Sequence, residues 1–337
     1  MGLTMTTELG LKQSSLLALN DLSDQQVFGL VDLAIALKGK KLGHSTSALE
    51  GRLLAGKNVC LIFEKASTRT RCAAVVAVAD EGGQAEYLGK NDIHLGKKES
   101  VADTARVLGR MFDGILFRGY SQSTVEGLAA FSGIPVWNGL TDEWHPSQIL
   151  ADLQTAKEAF GRLRGLRFAF VGDGRNNVCN SLMVGCAKVG IDFVNCCPQE
   201  LSPSAEVVSL AAAAAARNGC VSEVSHDPIE GVRGANVLYT DVWVSMGEES
   251  QFQQRLELLR PFQVDMAMAD ATGNLPAGAL IFLHCLPAFH NHQTEVTREL
   301  GALEVTDDVF EAPFSKVFDQ AENRMHTLKA IMTATMG

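Results

Sequence analysis

The sequence predicts an α/β protein with two doubly wound domains, each built on a parallel central sheet. Short apolar runs rich in β-branched residues alternate with longer amphipathic stretches along most of the 337 residues. That alternation is typical of parallel sheets that helices cover on both faces. A chain of this length can bury two hydrophobic cores, so we expect two domains.

Seven apolar runs have the length and composition of buried strands. They are Val59–Phe63, Gly114–Phe117, Ile134–Trp137, Phe168–Val171, Phe193–Cys197, Asn236–Thr240 and Leu280–His284. Six stretches between them have apolar residues at helical spacing. They are Arg71–Glu81, Val101–Met111, Ser147–Phe160, Asn180–Val189, Ala205–Arg217 and Phe252–Leu259.

The domain boundary is predicted close to the helix that begins at Ser147. That helix ends in the Gly- and Arg-rich turn 161–165, after which a new strand begins. We therefore predict a first domain over residues 1–149, with the C-terminal helix 321–337 packing back on it. The second domain is predicted over residues 150–320, and bridging helices are expected to join the two.

Composition excludes several classes of partner. The formal net charge of −10 argues against nucleic acid, because a phosphate backbone requires a clustered basic surface. A small anion remains compatible, since a few arginines can make one positive pocket on an acidic protein. The eight cysteines have no C-x-x-C or Cys/His ligand spacing, so no metal is expected and reduced thiols are predicted. With no apolar run near the roughly 20 residues of a membrane span and no secretory signal pattern, we expect a cytoplasmic protein.

The turn after the first predicted strand contains the run Ser67-Thr68-Arg69-Thr70-Arg71. Ser67 or Thr68 can cap the following helix, whose first amide groups then point towards an anion. The hydroxyl and guanidinium groups of the same turn add donors and positive charge. The run therefore predicts a phosphate site, and the ordinary alternative is a capped helix followed by solvated arginines.

Two later loops carry further candidates for the same site. Arg118 follows the strand Gly114–Phe117 at an equivalent position, although a lone arginine there is usually a surface residue. His145 and Gln148 stand three residues apart at the start of the bridging helix, so they share one helix face and can polarise a carbonyl oxygen. The alternative is a capped helix start with a partly buried histidine.

The loop Gly172–Asn177 follows a strand and suggests a dinucleotide fingerprint. That fingerprint requires a third small residue where this chain has Asn177, so the loop is better interpreted as a binding site for another polar ligand. Asp241 ends a strand ahead of the loop Ser245-Met246-Gly247. A carboxylate there can hold an ammonium group while a glycine-containing loop closes over it, but acidic loop residues are common.

The last predicted strand ends in His284-Cys285-Leu286-Pro287. The adjacent Cys and His suggest a nucleophile, yet neighbouring residues of an extended segment point to opposite faces, which argues against a covalent role for Cys285. Arg324 and His326 stand at the start of the closing helix, where solvated side chains are the ordinary interpretation.

These motifs together resemble the aspartate/ornithine carbamoyltransferase family. The family's S-T-R-T-R, H-P-x-Q, D-x-x-x-S-M-G and H-C-L-P motifs stand here in order, from Ser67, His145, Asp241 and His284. The resemblance covers roughly residues 55–335 and is poor over the first 40 or so. The S-M-G loop is typical of the ornithine members rather than the aspartate members. Gly174 and Cys179 depart from the most familiar version of the Asn-rich loop.

The resemblance implies a role for each matching residue. Carbamoyl phosphate would be bound by Ser67, Thr68, Arg69, Thr70, His94, Arg118, His145, Gln148, Cys285, Leu286 and Arg324. Ornithine would be bound by Asn177, Asp241, Ser245 and Met246. Arg69, His145 and Cys285 would lie closest to the chemistry, with Cys285 beside the amine. His94 would belong to a loop, Asp92–Gly96, that a neighbouring subunit donates.

The resemblance also implies the reaction. The carbamoyl group of carbamoyl phosphate would move to the side-chain amine of L-ornithine, giving L-citrulline and phosphate without a cofactor or metal. Family members are homotrimers or multiples of trimers. The alternatives are a carbamoyltransferase for a related amine such as putrescine or acetylornithine, a nicotinamide dehydrogenase and a non-catalytic binding protein. The sequence does not decide between an anabolic and a catabolic role.

Overall fold

The computed structural model describes residues 8–43, 49, 51–96, 98–244, 247 and 249–336. The chain divides into two compact units. The first comprises Met1–Gln154 and Glu322–Gly337, and the second comprises Thr155–Ala321. Each contains one parallel sheet with helices around it, so the predicted α/β fold with two parallel sheets is confirmed.

The first unit holds a four-stranded sheet of order β2-β1-β3-β4. Its elements are α1 (Asp24–Lys41), β1 (Asn58–Phe63), α2 (Thr68–Asp80), β2 (Gln84–Gly89), α3 (Val101–Leu108), β3 (Gly114–Arg118), α4 (Gln122–Ser132), β4 (Val136–Leu140) and the beginning of α5 (Pro146–Phe160). The later part of the C-terminal helix also belongs to this unit.

The second unit holds a five-stranded sheet of order β7-β6-β5-β8-β9. Its elements are β5 (Arg167–Val171), α6 (Asn177–Lys188), β6 (Asp192–Cys196), α7 (Ala205–Asn218), β7 (Ser222–Ser225), β8 (Val237–Thr240), α8 (Phe252–Leu259), α9 (Met266–Ala271), β9 (Ile281–His284), α10 (Thr297–Leu300), α11 (Asp307–Phe310) and the beginning of α12 (Val317–Met336). Both α5 and α12 cross the boundary between the units.

Each sheet has a point at which the strand order reverses. In the first sheet the chain adds β2 on one side of β1 and then β3 on the other, and in the second it adds β6 beside β5 and later β8 on the opposite side. Such a reversal leaves a crevice beyond the carboxyl ends of the strands, where ligands bind in folds of this kind. The loops after β1 and β3, and those after β5 and β8, are therefore the places to look for a site.

The strands in the middle of each sheet are apolar because both of their faces are covered. Leu61 and Ile62 of β1, and Phe168 and Phe170 of β5, are all almost completely buried. Burial of each such side chain contributes about 1.5–3 kcal/mol relative to exposure, so the two cores hold the strand ends firmly in place. In the described part of the chain, no helix is both long and apolar enough to span a membrane.

All seven predicted strands are present, with ends shifted by one to three residues. The largest correction concerns β4, which runs from Val136 to Leu140 rather than from Ile134. Two strands were not predicted, β2 and β7, because most of their residues are half-exposed or exposed and neither strand is a continuous apolar run. Helix α2 begins at Thr68, three residues earlier than predicted, because Ser67 caps it.

Candidate functional site

The first cluster of predicted residues surrounds the start of α2, directly after β1. Ser67 is extended, and its hydroxyl accepts a hydrogen bond from the Thr70 amide at 3.2 Å. The helix therefore starts at the carboxyl end of a central strand, with its first amide groups facing away from the sheet. Phe63 pairs in register with Arg118 at the end of β3, so the neighbouring strand places Arg118 beside the same turn.

Arg324 joins this cluster from the C-terminal helix α12. Its Nη2 donates to Thr70 Oγ1 at 3.0 Å and its Nη1 donates to Gln148 Oε1 at 2.6 Å. Gln148 in turn donates through Nε2 to Asp152 at 2.8 Å. Arg324, Thr70 and Gln148 are all buried, so Arg324 is not the solvated side chain that its position in the sequence suggests.

His145 lies in the same cluster and is buried in the loop between β4 and α5. Burial lowers the pKa of His145 well below 6.5, and the positive charges of Arg324, Arg118 and Arg69 lower it further. The imidazole is therefore neutral at physiological pH. A neutral ring among three guanidinium groups can polarise a carbonyl oxygen, while the guanidinium groups are left to bind an anion.

The position of His94 differs from that of the other predicted residues of the first unit. Its side chain is exposed, on the loop that follows the edge strand β2, whereas the clustered residues follow β1, β3 and β4. It takes part in none of the hydrogen bonds described for the cluster. Its predicted role as a residue donated to a neighbouring subunit remains a prediction.

The second cluster lies where β5, β8 and β9 end. Val171, Thr240 and His284 stand in register across these strands, so the residues that follow them are neighbours. Two of these residues touch, because Cys285 Sγ donates to Asp241 Oδ1 at 2.9 Å. The register thus explains why the Asp241 carboxylate and the Cys285 thiol are in contact although they are 44 positions apart in the sequence.

Asn176 connects Asp241 to the loop after β5. Its Oδ1 caps α6 by accepting from the Val178 amide at 2.6 Å, and its Nδ2 donates to Asp241 Oδ2 at 2.8 Å. Asn177, the predicted residue, is the first residue of α6 and is half-buried. The buried contact to Asp241 therefore belongs to Asn176, which the sequence did not single out.

His284 orders the segment that follows it. Its Nδ1 accepts a hydrogen bond from the Leu286 amide at 2.9 Å, so the ring hydrogen lies on Nε2, which faces Glu304 Oε1 at 3.3 Å. Glu304 also accepts from the Phe289 amide at 2.6 Å. These bonds secure Leu286, whose φ of +59° is rare for a residue with a side chain.

Comparison with known proteins identifies the family of the chain. Residues 14–158 match the model for the aspartate/ornithine carbamoyltransferase carbamoyl-P binding domain, and residues 164–335 match the model for the Asp/Orn binding domain. The chain belongs to the aspartate/ornithine carbamoyltransferase family. The match begins at residue 14, so the family likeness includes much of the N-terminal stretch where the motif resemblance is poor.

Individual members of the family are similar along nearly the whole chain. A catabolic ornithine carbamoyltransferase of Bacillus licheniformis is 53% identical over 339 aligned positions, which cover 99% of both chains. One from Enterococcus faecalis, also named catabolic, is 54% identical over 329 positions and 96% of both chains. The solved ornithine carbamoyltransferase of Pyrococcus furiosus superposes with a TM-score of 0.88 at 41% identity, covering 97% of this chain and 98% of that one.

Glu304 supports the second cluster and was not singled out by the sequence. It is completely buried, and its carboxylate orients His284, which in turn holds the Leu286 amide. The only signal in the sequence is a glutamate inside the apolar stretch Ala302–Val305, 20 positions after its partner. The predicted ornithine residues Ser245 and Met246 lie outside the described residues.

Among the residues that the structure describes, two groups bring three potential metal ligands within 4.8 Å of one another. They are Asp241 with His284 and Cys285, and His290 with Asp307 and Glu311. In the first group the thiol donates to the carboxylate and both ring nitrogens of His284 already have partners. In the second, His290 Nδ1 contacts the exposed Asp307 carboxylate at 2.6 Å. The absence of a metal requirement remains a prediction.

Proposed function

We propose that this protein transfers the carbamoyl group of carbamoyl phosphate to the side-chain amine of L-ornithine, producing L-citrulline and phosphate. The observation that carries the proposal is the cluster of buried Arg118 and Arg324 and half-buried Arg69 around a buried, neutral His145 at the reversal point of the first sheet. Three guanidinium groups suit a doubly charged phosphoryl group, and the neutral imidazole suits the carbonyl oxygen beside it.

Carbamoyl phosphate is assigned to the first unit. The phosphoryl group is held by the start of α2 and by the guanidinium groups, and the carbamoyl group is held by His145 and Gln148. The full set that the family resemblance implies is Ser67, Thr68, Arg69, Thr70, His94, Arg118, His145, Gln148, Cys285, Leu286 and Arg324. The orientation of Gln148 is supported by its bonds to Arg324 and Asp152.

Ornithine is assigned to the second unit, through Asn177, Asp241, Ser245 and Met246. A carboxylate beside a thiol, with Asn176 donating to its other oxygen, provides an acceptor for an ammonium or amine group. Because Asp241 is buried, its negative charge is screened little by water and attracts a cation strongly.

The reaction needs orientation and charge stabilisation rather than a cofactor. The neutral Nδ of ornithine attacks the carbamoyl carbon and a C–N bond forms, while negative charge collects on the carbonyl oxygen. Arg69, Thr70 and His145 stabilise that oxygen. The bond from the carbamoyl carbon to the phosphate oxygen then breaks, the phosphate departs towards the arginines, and the amine proton leaves with it or passes to solvent.

The biological setting is also part of the proposal. Two relatives named catabolic, each more than half identical, favour a catabolic over a biosynthetic role. A cytoplasmic homotrimer, or a multiple of trimers, agrees with the family resemblance, and His94 then belongs to the loop that a neighbouring subunit donates. Size measurement by light scattering tests the assembly directly.

The decisive experiment compares amine substrates at equal concentration. Citrulline formation from carbamoyl phosphate is measured with ornithine, and carbamoylation is measured in parallel with putrescine and acetylornithine. Ornithine should be strongly preferred, and norvaline should compete with it because norvaline retains the α-amino and carboxylate groups. Preference for putrescine with no inhibition by norvaline would show that the substrate is a diamine and not ornithine. Absence of calorimetric binding of carbamoyl phosphate would overturn the proposal.

A further inference from the structure

The segment between β8 and α8 is attached at both of its ends to the same short loop, Gly172–Asn176, which follows β5. At its beginning, Asp241 accepts a hydrogen bond from Asn176 at 2.8 Å. At its end, Arg255 in the first turn of α8 donates through Nη1 to Asp173 Oδ2. The proposed ornithine residues Ser245 and Met246 stand in the sequence between these two attachments.

The Arg255–Asp173 pair is unusually well buried for two charged side chains. Arg255 is 2% exposed and Asp173 is 6% exposed. The second oxygen of Asp173 accepts from the Arg175 amide at 3.0 Å, so the carboxylate also holds its own loop in shape. Removing two charges from water is costly, and a buried pair is therefore weak evidence of added stability. Its better-attested effect is to specify one arrangement of the elements that carry it.

Apolar packing brings the two ends of the segment together as well. Trp243, two residues after Asp241, is buried in one cluster with Leu256 and Leu259 of α8. Arg255 thus lies on a helix whose apolar side contacts the start of the same segment. An apolar contact alone does not fix the position of a helix along its axis. The hydrogen bond from Arg255 to Asp173 fixes that position for α8.

The loop Gly172–Asn176 is itself rigid enough to serve as an anchor. A Cβ on Gly174 would lie 2.6 Å from Cys197 Sγ and 2.7 Å from the Leu201 carbonyl oxygen, so this backbone is packed directly against its neighbours. The Asn195 side chain also donates to the Gly174 carbonyl at 3.0 Å. Arg255 and Asp241 therefore both bond one fixed loop, and the position of that loop relative to Asp241 depends on Arg255.

We propose that Arg255 is a positioning residue for ornithine: through Asp173 it holds the loop Gly172–Asn176, from which Asn176 donates to Asp241. This inference rests on the proposed function and deepens it. Arg255 does not touch the substrate in the proposal, so its loss weakens ornithine binding while leaving carbamoyl phosphate binding in the first unit intact. Lysine cannot replace it, because the ammonium group lacks the planar fork that reaches a carboxylate from a fixed direction.

The test uses the full-length protein with three variants. Arg255→Lys retains the charge and changes the geometry. The double variant Asp173→Asn/Arg255→Met removes both charges together, so that no unpaired charge stays buried. Arg260→Met is the matched control, because Arg260 is exposed immediately after α8. Thermal unfolding of each variant separates a loss of fold from a loss of position.

Arg255→Lys should raise the KM for ornithine and the Kd for norvaline by about tenfold, with the KM for carbamoyl phosphate within about twofold of the parent. Amide hydrogen exchange should become faster in α8 and at Trp243, and stay unchanged near Cys285. The double variant should unfold close to the parent temperature and still show the raised KM. Arg260→Met should match the parent in every measurement.

Equal losses of affinity for both substrates, or an unchanged KM for ornithine in a folded Arg255→Lys variant, would overturn the inference. If Arg255→Lys does not fold, the double variant provides the same comparison of the two substrates. Failure of the parent protein to form citrulline is a different outcome, because it rejects the proposed function and not the attachment of the segment.

Discussion

The two sheets of this protein present opposite charges at equivalent positions. In the first unit, the crevice beyond β1 and β3 is surrounded by arginines and a neutral histidine. In the second, the crevice beyond β5 and β8 holds a buried carboxylate with a thiol and an amide directed at it. The architecture is shared, and the chemistry of each site is decided by a few side chains on its loops.

The comparison shows how one fold can serve two substrates. A helix start favours anions, and at α2 the cap Ser67 accepts from the Thr70 amide and carries no negative charge of its own. In the second unit, Asn176 Oδ1 accepts from the first amides of α6, and its Nδ2 donates to Asp241. The cap of α6 therefore stabilises a carboxylate, where the cap of α2 stands beside arginines. The four predictions below test this division, from the largest effect to the smallest.

The largest effect is expected from Arg69→Ala. Arg69 contributes positive charge around His145 and is proposed to stabilise the developing oxyanion. Its loss should lower turnover by about 10² to 10³-fold with the fold intact. Steady-state kinetics and thermal unfolding check this, with Arg110→Ala, an exposed arginine of the same unit, as control. Near-normal turnover in the Arg69 variant would remove Arg69 from the chemistry.

Cys285→Ala should weaken ornithine binding. The thiol donates to Asp241, and its removal leaves one carboxylate oxygen with one donor fewer. A loss of about 1–2 kcal/mol is expected, which raises the KM for ornithine roughly 5- to 30-fold while turnover stays measurable. Citrulline assays over a range of ornithine concentrations provide the measurement. Complete inactivity with normal ornithine binding would instead indicate a covalent route through Cys285.

The pH dependence of stability should reflect His145. Its folded-state pKa lies below the ordinary 6.5, first because it is buried and then because of Arg324, Arg118 and Arg69. The unfolded chain therefore takes up a proton first as the pH falls. The resulting stabilisation is complete above about pH 6.5 and is lost as the pH falls towards the folded-state pKa.

His145→Asn should accordingly lose less stability than the parent between about pH 7.5 and pH 5.5. Chemical denaturation at several pH values measures this difference. Histidine NMR should also show the His145 ring remaining neutral across that range. A ring that titrates near 6.5 would mean that the cluster is hydrated, which contradicts the charge contrast between the two crevices.

The smallest effect on activity is expected from Lys329→Met, which changes a cation of the first unit away from the cluster. Lys329 is 1% exposed and bonds Asp80, at the end of α2, at 2.8 Å. Its loss should lower the free energy of unfolding by about 1–3 kcal/mol and change activity less than about twofold. Lys41→Met removes an exposed partner of the same Asp80 and should cost no more than about 1 kcal/mol. A large loss of carbamoyl phosphate binding in Lys329→Met would show that charge outside the cluster also matters.

The sequence predicted the strands whose residues are apolar and buried along nearly their whole length. β1, β3 and β5 are buried on both faces and read as apolar runs. β2 and β7 were not predicted because most of their residues are half-exposed or exposed, whereas the other two edge strands, β4 and β9, are buried and were predicted. The site residues with local partners, such as Ser67, were also recognisable, since a cap and the amide it bonds stand three positions apart.

The sequence alone determined which chemical groups are available and where each loop begins. Three motifs could be recognised because their residues are adjacent in the sequence or adjoin a predicted strand. They are the run Ser67–Arg71, Asp241 at a strand end and the pair His284-Cys285. Tertiary structure decided which groups meet. Arg324 reaches Thr70 across 254 positions, and Arg255 reaches Asp173 across 82. Such contacts follow from sheet register and helix packing, which no local pattern specifies.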